Sequence, residues 1–158
     1  MKIILISLFI WFQTVDPLLD KGYEQYDKGE FTEAVKSFNT VIEMNPNNAE
    51  AHFLRAMTYQ GLALSKHAIA DLEKAIVLRT DYAAAFQQLA YIYLVGHAPA
   101  LAIEAFDKAI LLTPEVAELY INRGSAQCML GNLEQATRDY QKAQKMGINY
   151  AEYMNCDP

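Results

Sequence analysis

Apolar residues recur along this chain at a helical spacing, and that helical pattern itself recurs every 34 residues. In Leu101 to Pro114, read as LAIEAFDKAILLTP, the residues Ala102, Phe106 and Ala109 fall at i, i+4 and i+7, one face of an amphipathic helix ended by a proline. Ala34, Ala68, Ala102 and Ala136 are successive copies of one position. Phe38, Leu72, Phe106 and Tyr140 follow four residues later each time, and Val41, Ala75, Ala109 and Ala143 three residues after those. Lys74, Lys108 and Lys142 stand just before three of these last positions. Four units without insertions therefore fill residues 15–150, as 15–48, 49–82, 83–116 and 117–150. A fixed period in the thirties predicts stacked helical repeats, because one such unit alone cannot bury its apolar face.

Each unit reads as two helices and a turn. Asp16-Pro17 has the chemistry of a helix start, with Asp as N-cap and Pro in the first helical position. The first unit turns near Gly29 and ends at Asn45-Pro46-Asn47-Asn48. The second begins near Ala49 and turns over Gly61 to Ser65. The third begins near Ala83, turns over Gly96 to Pro99 and ends at Pro114. The fourth begins near Ala117, turns at Gly131-Asn132 and runs to Met146-Gly147. The tail, 151–158, lies beyond the last repeat. A short helix within Ile148 to Pro158 is expected to cover the last open apolar face.

These residues resemble the tetratricopeptide repeat family, whose unit is a 34-residue helix–turn–helix with small, aromatic and proline positions at set offsets. The first-helix matches are Gly22, Ala56, Ala90 and Gly124 at the small position, with Tyr59 and Tyr93 at the aromatic one. In the second helices the alanine series, the Phe38 series, Pro46 and Pro114 match. Gln25 and Gln127 depart from the tyrosine, and Thr80 and Ile148 from the proline. The resemblance implies an all-α fold: a right-handed superhelical solenoid of four helix–turn–helix units with a short C-terminal capping helix. It also implies that small residues of the two helices face each other and that the aromatic position fills the gap to the next repeat. Some family members clamp acidic chaperone tails with cationic and amide side chains. The matching positions here are Leu19, Tyr23, Leu54, Ala84 and Gln88, which disfavours that partner.

A second pattern appears in alternate units. Arg55 is followed 16 residues later by Asp71, and Arg123 by Asp139, whereas the same positions elsewhere hold Lys21 with Ser37 and Leu89 with Ala105. Acid occurs only where arginine does. This predicts two ion pairs, each joining the helices of one repeat within about 4 Å.

Composition narrows the function classes. The 158 residues are 53% hydrophobic and 20% charged, outside the disordered range. The net charge of −6 and the lack of a basic run argue against a nucleic-acid partner. There is no phosphate loop, nucleophile elbow or metal-ligand spacing, so neither catalytic residues, metal nor cofactor are expected. His52, His67 and His97 sit in three different contexts and read as helix or turn residues. Cys128 reads as a small buried hydrophobe and Cys156 as a tail residue. A bridge between them would need an oxidising compartment and fitting geometry, and the expectation is two separate cysteines.

Residues 1–14 stand apart from the repeats. Met1 to Phe12, MKIILISLFIWF, has the charged start and apolar run of a secretory signal but no small-residue cleavage site after it. The expectation is an exported, periplasmic or membrane-associated bacterial protein, with residues 3–12 able to associate with a membrane. The alternative is a cytoplasmic protein in which this segment packs on the first repeat.

In a stack of this kind the first helices line the concave surface. The inward set is Leu19, Tyr23 and Tyr26; Phe53, Met57 and Gln60; Gln87, Tyr91 and Leu94; and Ile121, Ser125 and Met129. Aromatic and Met side chains suit a protein or peptide partner with apolar anchors. The function expected is a protein–protein interaction scaffold that binds such a peptide or helix. The alternative is a self-associating structural protein, a homo-oligomer joined through the N-terminal segment or an open repeat end.

Overall fold

The computed structural model describes residues 17–148 and residue 156. The described residues contain eight helices and no strand. The first, α1, covers 17–27. It is followed by α2 (Phe31–Met44), α3 (Ala49–Gly61), α4 (Ser65–Leu78), α5 (Ala83–Val95), α6 (Pro99–Leu112), α7 (Ala117–Met129) and α8 (Leu133–Lys145). The 34-residue period holds to the residue: α2, α4, α6 and α8 start one period apart, and so do α3, α5 and α7. The protein is an all-α helical-repeat solenoid. The apolar segment 1–14, the Asp16 cap and most of the expected capping helix lie outside the described residues.

The period survives because each second helix buries the same four positions. They are Ala34, Ser37, Phe38 and Val41 in α2, then Ala68, Asp71, Leu72 and Ala75 in α4. In α6 they are Ala102, Ala105, Phe106 and Ala109, and in α8 Ala136, Asp139, Tyr140 and Ala143. This i, i+3, i+4, i+7 stripe turns one face of the helix away from water. Burial of Phe38 or Phe106 contributes about 1.5–3 kcal/mol each.

The chain divides into two compact units, Met1–Arg79 and Thr80–Pro158, each holding two repeats. In the first, α3 packs on α2 and α4, and Leu18 and Leu19 of α1 pack on Val41 and Ala51. In the second, α5 packs on α6, α6 on α7 and α7 on α8. Its core runs from Ala90, Phe106 and Leu119 to Tyr120, Tyr140 and Ala143.

Two details sharpen the sequence reading. A Cβ built on Gly22 would lie 2.6 Å from the Phe38 ring, and one on Gly124 would lie 2.8 Å from the Tyr140 ring. The small first-helix residue thus makes room for the aromatic of its own repeat. This second-helix aromatic packs against the first helix of its own repeat, and Phe106 also joins one cluster with Leu119 and Ala126 of the next repeat.

The turns, which fall where the sequence places them, are the second. Gly29, Ala63, His97 and Gly131, one period apart, all have left-handed backbone, with φ of 76°, 58°, 55° and 75°. The amide after each bonds back to the carbonyl five residues before it: Glu30 to Gln25, Leu64 to Tyr59, Ala98 to Tyr93 and Asn132 to Gln127. This is a Schellman closure, which favours glycine at the left-handed residue. The glycines that suggested turns in units two and three do other work. Gly61 closes α3 under the Phe31 ring, and Gly96 has φ −77°. Among the described residues no helix is long and apolar enough to cross a membrane.

Candidate partner-binding surface

Both expected ion pairs form, and each is a two-bond fork. Arg55 donates from Nε to Asp71 Oδ2 at 2.6 Å and from Nη2 to Oδ1 at 2.6 Å. Arg123 donates from Nε to Asp139 Oδ2 at 2.8 Å and from Nη2 to Oδ1 at 2.6 Å. Asp71 and Asp139 are 5% and 6% exposed, so these carboxylates depend on the fork for the bonds that water would otherwise supply. Hydrogen bonding to Asp71 holds the Arg55 guanidinium above its ordinary pKa, against an opposing push from burial. Asp139 does the same for Arg123, with a further contribution from Asp107.

The third arginine nitrogen reaches back to the preceding repeat. Arg55 Nη1 donates to Asn39 Oδ1 at 2.7 Å, and Arg123 Nη1 donates to Asp107 Oδ1 at 2.6 Å. Each arginine therefore ties three helices: α2, α3 and α4 in the first unit, and α6, α7 and α8 in the second. His52, read from the sequence as an ordinary helix residue, is part of the first clamp. Its Nδ1 lies 3.1 Å from Asp71 Oδ1 and its Nε2 lies 3.1 Å from the Pro46 carbonyl. Both oxygens are acceptors, and which ring nitrogen donates depends on the tautomer. The corresponding residue of the second unit is Tyr120, whose hydroxyl donates to the Pro114 carbonyl at 3.0 Å. One sequence signal could have found these partners. Asn39 with Asp107, and Pro46 with Pro114, share the two-repeat spacing of the arginines.

The third repeat lacks the arginine, and its place is apolar. Leu89 and Ala105 help line a pocket of about 250 Å³ with Phe86, Tyr93, Leu101 and the flanking Glu104 and Lys108.

All twelve residues of the expected inner rows are exposed or half-buried. Tyr23 and Tyr91, the same position in the first repeat of each unit, are 53% and 49% exposed, and Met129 is 44% exposed. The Tyr23 and Tyr26 rings meet at a tilt, 6.5 Å between centroids, and Tyr26 meets Phe31 at 5.7 Å. The Gln60 amide donates to the Met57 sulfur at 3.9 Å. Leu19, Leu94 and Ile121 are partly drawn into the core clusters. Phe53 and Gln87 are half-buried. Ser125 turns its hydroxyl to the Ile121 carbonyl at 3.1 Å.

Cys128, and not Met129, corresponds by period to Tyr26, Gln60 and Leu94. The structure also corrects the reading of two separate cysteines: Cys128 and Cys156 form a disulfide, with Cα atoms 5.1 Å apart. Their 28-residue separation in sequence says nothing about this closeness. Among the described residues no group of three or more His, Cys, Asp or Glu could hold a metal ion.

Comparison with known proteins agrees with this geometry. A family described as TPR repeat matches residues 22–62, and two described as tetratricopeptide repeat match residues 49–82 and 88–151. DnaJ homolog subfamily C member 3 of Mus musculus is 28% identical over 104 residues, which are 66% of this chain and 21% of that protein. The Hsp70-Hsp90 organizing protein of Triticum aestivum is 29% identical over 94 residues, 60% of this chain and 16% of that one. The chain thus spans about a fifth or less of the length of these curated relatives. Among solved structures, MamA superposes with a TM-score of 0.81 at 28% identity, covering 84% of this chain and 78% of MamA. The repeat period, the buried stripes and these matches lead to one assignment: the chain belongs to the tetratricopeptide repeat family.

Proposed function

We propose that this protein is a non-enzymatic interaction scaffold whose first helices hold a partner peptide by apolar anchors. The observation that carries this reading is the pair Tyr23 and Tyr91. They are aromatic side chains at one repeat position, one in each unit, both about half exposed. Phe53, Met57 and Gln60 on α3, and Gln87, Leu94, Ile121 and Met129 on α5 and α7, extend the apolar and amide character around them. An apolar surface of this kind marks a binding site more often than a bare face. Rigid aromatic rings with adaptable Met and amide neighbours suit an extended or helical segment. The name of the wheat relative states an organizing role between two proteins, which supports an adaptor function.

The Cys128–Cys156 bridge and the signal-like Met1 to Phe12 both support an exported, oxidising location. A fusion of residues 1–16 to a reporter active only outside the cytoplasm is expected to give signal. A silent but well-expressed reporter would remove the export reading.

The binding test is affinity capture from the source organism with wild type beside a Phe53→Ser, Met57→Ser, Tyr91→Ser variant. Each change is expected to weaken binding by roughly 2 kcal/mol where it strikes a hot spot, with the helical circular-dichroism signal unchanged. Full capture by the triple variant would move the interaction off these rows. Capture of the chain's own second copy would turn the reading toward self-association.

A further inference from the structure

The second unit carries two clefts built from the same repeat positions, one in the third repeat and one in the fourth. From the first helices, Leu89 and Tyr93 line the former, and Arg123 and Gln127 line the latter one period on. From the second helices, Leu101, Glu104 and Ala105 line the former, and Gln135, Arg138 and Asp139 take their places in the latter. The volumes are similar, about 250 Å³ and about 320 Å³. Leu89 and Tyr93 follow the inner-row residues Gln87 and Tyr91 by two places, about 200° around the helix. Both clefts therefore lie on the side of α5 and α7 turned away from the inner rows.

The chemistry switches between the two. With Leu89 and Ala105 in place of the arginine and its acid, the third-repeat cleft has an apolar floor, and Leu101 beside it is 46% exposed. The fourth-repeat cleft is lined by charged and amide side chains alone. Its arginines, Arg123 and Arg138, are matched by two acids, Asp107 and Asp139, and in the third repeat Glu104 is matched by Lys108. Each cleft is thus balanced in a chain of net charge −6. A carboxylate entering the fourth-repeat cleft would face Asp107 and Asp139, and an ammonium group would face Arg123 and Arg138. A carboxamide both donates and accepts, so it bonds to the exposed Asp107 and the exposed Arg138 together without adding charge. Gln127, whose oxygen already accepts from Asn132 Nδ2 at 2.8 Å, offers its N–H donors to the same group.

We propose that these clefts form a second, outer docking site for an uncharged extended segment, which seats an apolar side chain in the third repeat and a carboxamide side chain in the fourth. The spacing supports this occupant. Helices α5 and α7 touch, and touching helices run about 8–10 Å apart. A polyproline-type segment has three residues per turn and rises about 3.1 Å per residue, so side chains i and i+3 share one side about 9 Å apart. The site is independent of the inner rows, on which the proposed function rests.

The test titrates the full chain with two blocked tetrapeptides, acetyl-Leu-Pro-Pro-Gln-amide and acetyl-Gln-Pro-Pro-Leu-amide. It follows the NMR side-chain amide signals of Gln127 and Gln135 and the methyl signals of Leu101 and Ala105. For one of the two peptides, the signals of both clefts should move with a single Kd. Replacing its glutamine with glutamate or lysine, or its leucine with serine, should weaken binding about tenfold. Leu101→Ser and Gln135→Ala, both at exposed positions, should weaken it to a similar degree with the helical circular-dichroism signal unchanged. The Phe53→Ser, Met57→Ser, Tyr91→Ser variant should bind these peptides as wild type does, even where it loses the inner-row partner. No shift with either peptide, shifts in one cleft alone, equal binding of the charged peptides, or loss of binding in the inner-row variant would each overturn the proposal.

Discussion

The two arginine clamps sit at the same repeat position and balance their charges in opposite ways. In the first unit one acid serves two donors, since Asp71 accepts the Arg55 fork and the His52 ring, while the remaining arginine nitrogen meets neutral Asn39. In the second unit one cation serves two acids, since Arg123 forks Asp139 and reaches Asp107, while the histidine's place is taken by Tyr120. Among the described residues, no buried side-chain nitrogen or oxygen lacks a partner in either arrangement. The comparison teaches that the fold specifies a three-helix tie and the satisfaction of its polar groups. It does not specify a charge count.

Removing the central acid should separate the two clamps most clearly. Asp71→Ala leaves Arg55 only the neutral Asn39 amide and His52 only the Pro46 carbonyl, and breaking a buried pair from one side costs about 3–5 kcal/mol. Asp139→Ala leaves Arg123 its bond to Asp107, and the expected loss is about 1.5–3 kcal/mol, the range of a charged hydrogen bond. Equal urea midpoints for the two variants would break the comparison.

The next effect concerns packing. Gly22→Ala sets a methyl against the Phe38 ring, which is fully buried and cannot swing away, at a cost of about 1–3 kcal/mol. Ala90 already occupies that position beside Phe106 in the second unit, so Ala90→Gly should leave a small void and cost about 1 kcal/mol. Thermal melts of the two variants check the order.

The backward bonds should differ in salt response. Asn39→Ala is expected to cost about 1 kcal/mol at any ionic strength. Asp107 is largely exposed, so Asp107→Ala should cost about 0.5 kcal/mol in low salt and less in high salt. Denaturation series at two salt concentrations distinguish them.

The turns offer a gain. Ala63→Gly and His97→Gly relieve left-handed strain that Gly29 and Gly131 avoid, and each should stabilise by about 0.5–1 kcal/mol. A melt at or below wild type would contradict this.

The smallest effect is at the surface of α1. Hydrogen bonding to Lys28 holds the Glu24 carboxyl below its ordinary value of 4.5. Its contribution is therefore present above that value and lost as pH falls through the lowered one. Lys28→Ala should return the Glu24 titration upward in an NMR pH series.

How much of this was legible in the sequence depends on how many helices an interaction needs. Helix starts at Ala49, Ala83 and Ala117 follow from one strand of evidence, the period, and all were readable. The Arg–Asp forks required two helices of one repeat, and the shared absence of both residues at Leu89 and Ala105 revealed them. Asn39, Asp107 and His52 required a third element, whose approach depends on packing that no single repeat encodes. The left-handed turns were hidden by chemistry, because Ala63 and His97 adopt a conformation that glycine signals, while Gly61 serves a close approach to Phe31. The disulfide was unreadable because two cysteines 28 residues apart carry no sign of how close their Cα atoms lie.

Since each arginine belongs to one repeat and bonds to the one before it, no cut between those two repeats leaves a complete clamp. The smallest piece that keeps every bond is a pair of repeats. Pulled from its ends in a force spectrometer, such a pair should give way in a single rupture that releases the length of two repeats at once. Asn39→Ala with Asp71→Ala should split that rupture in the first unit into two shorter, weaker ones.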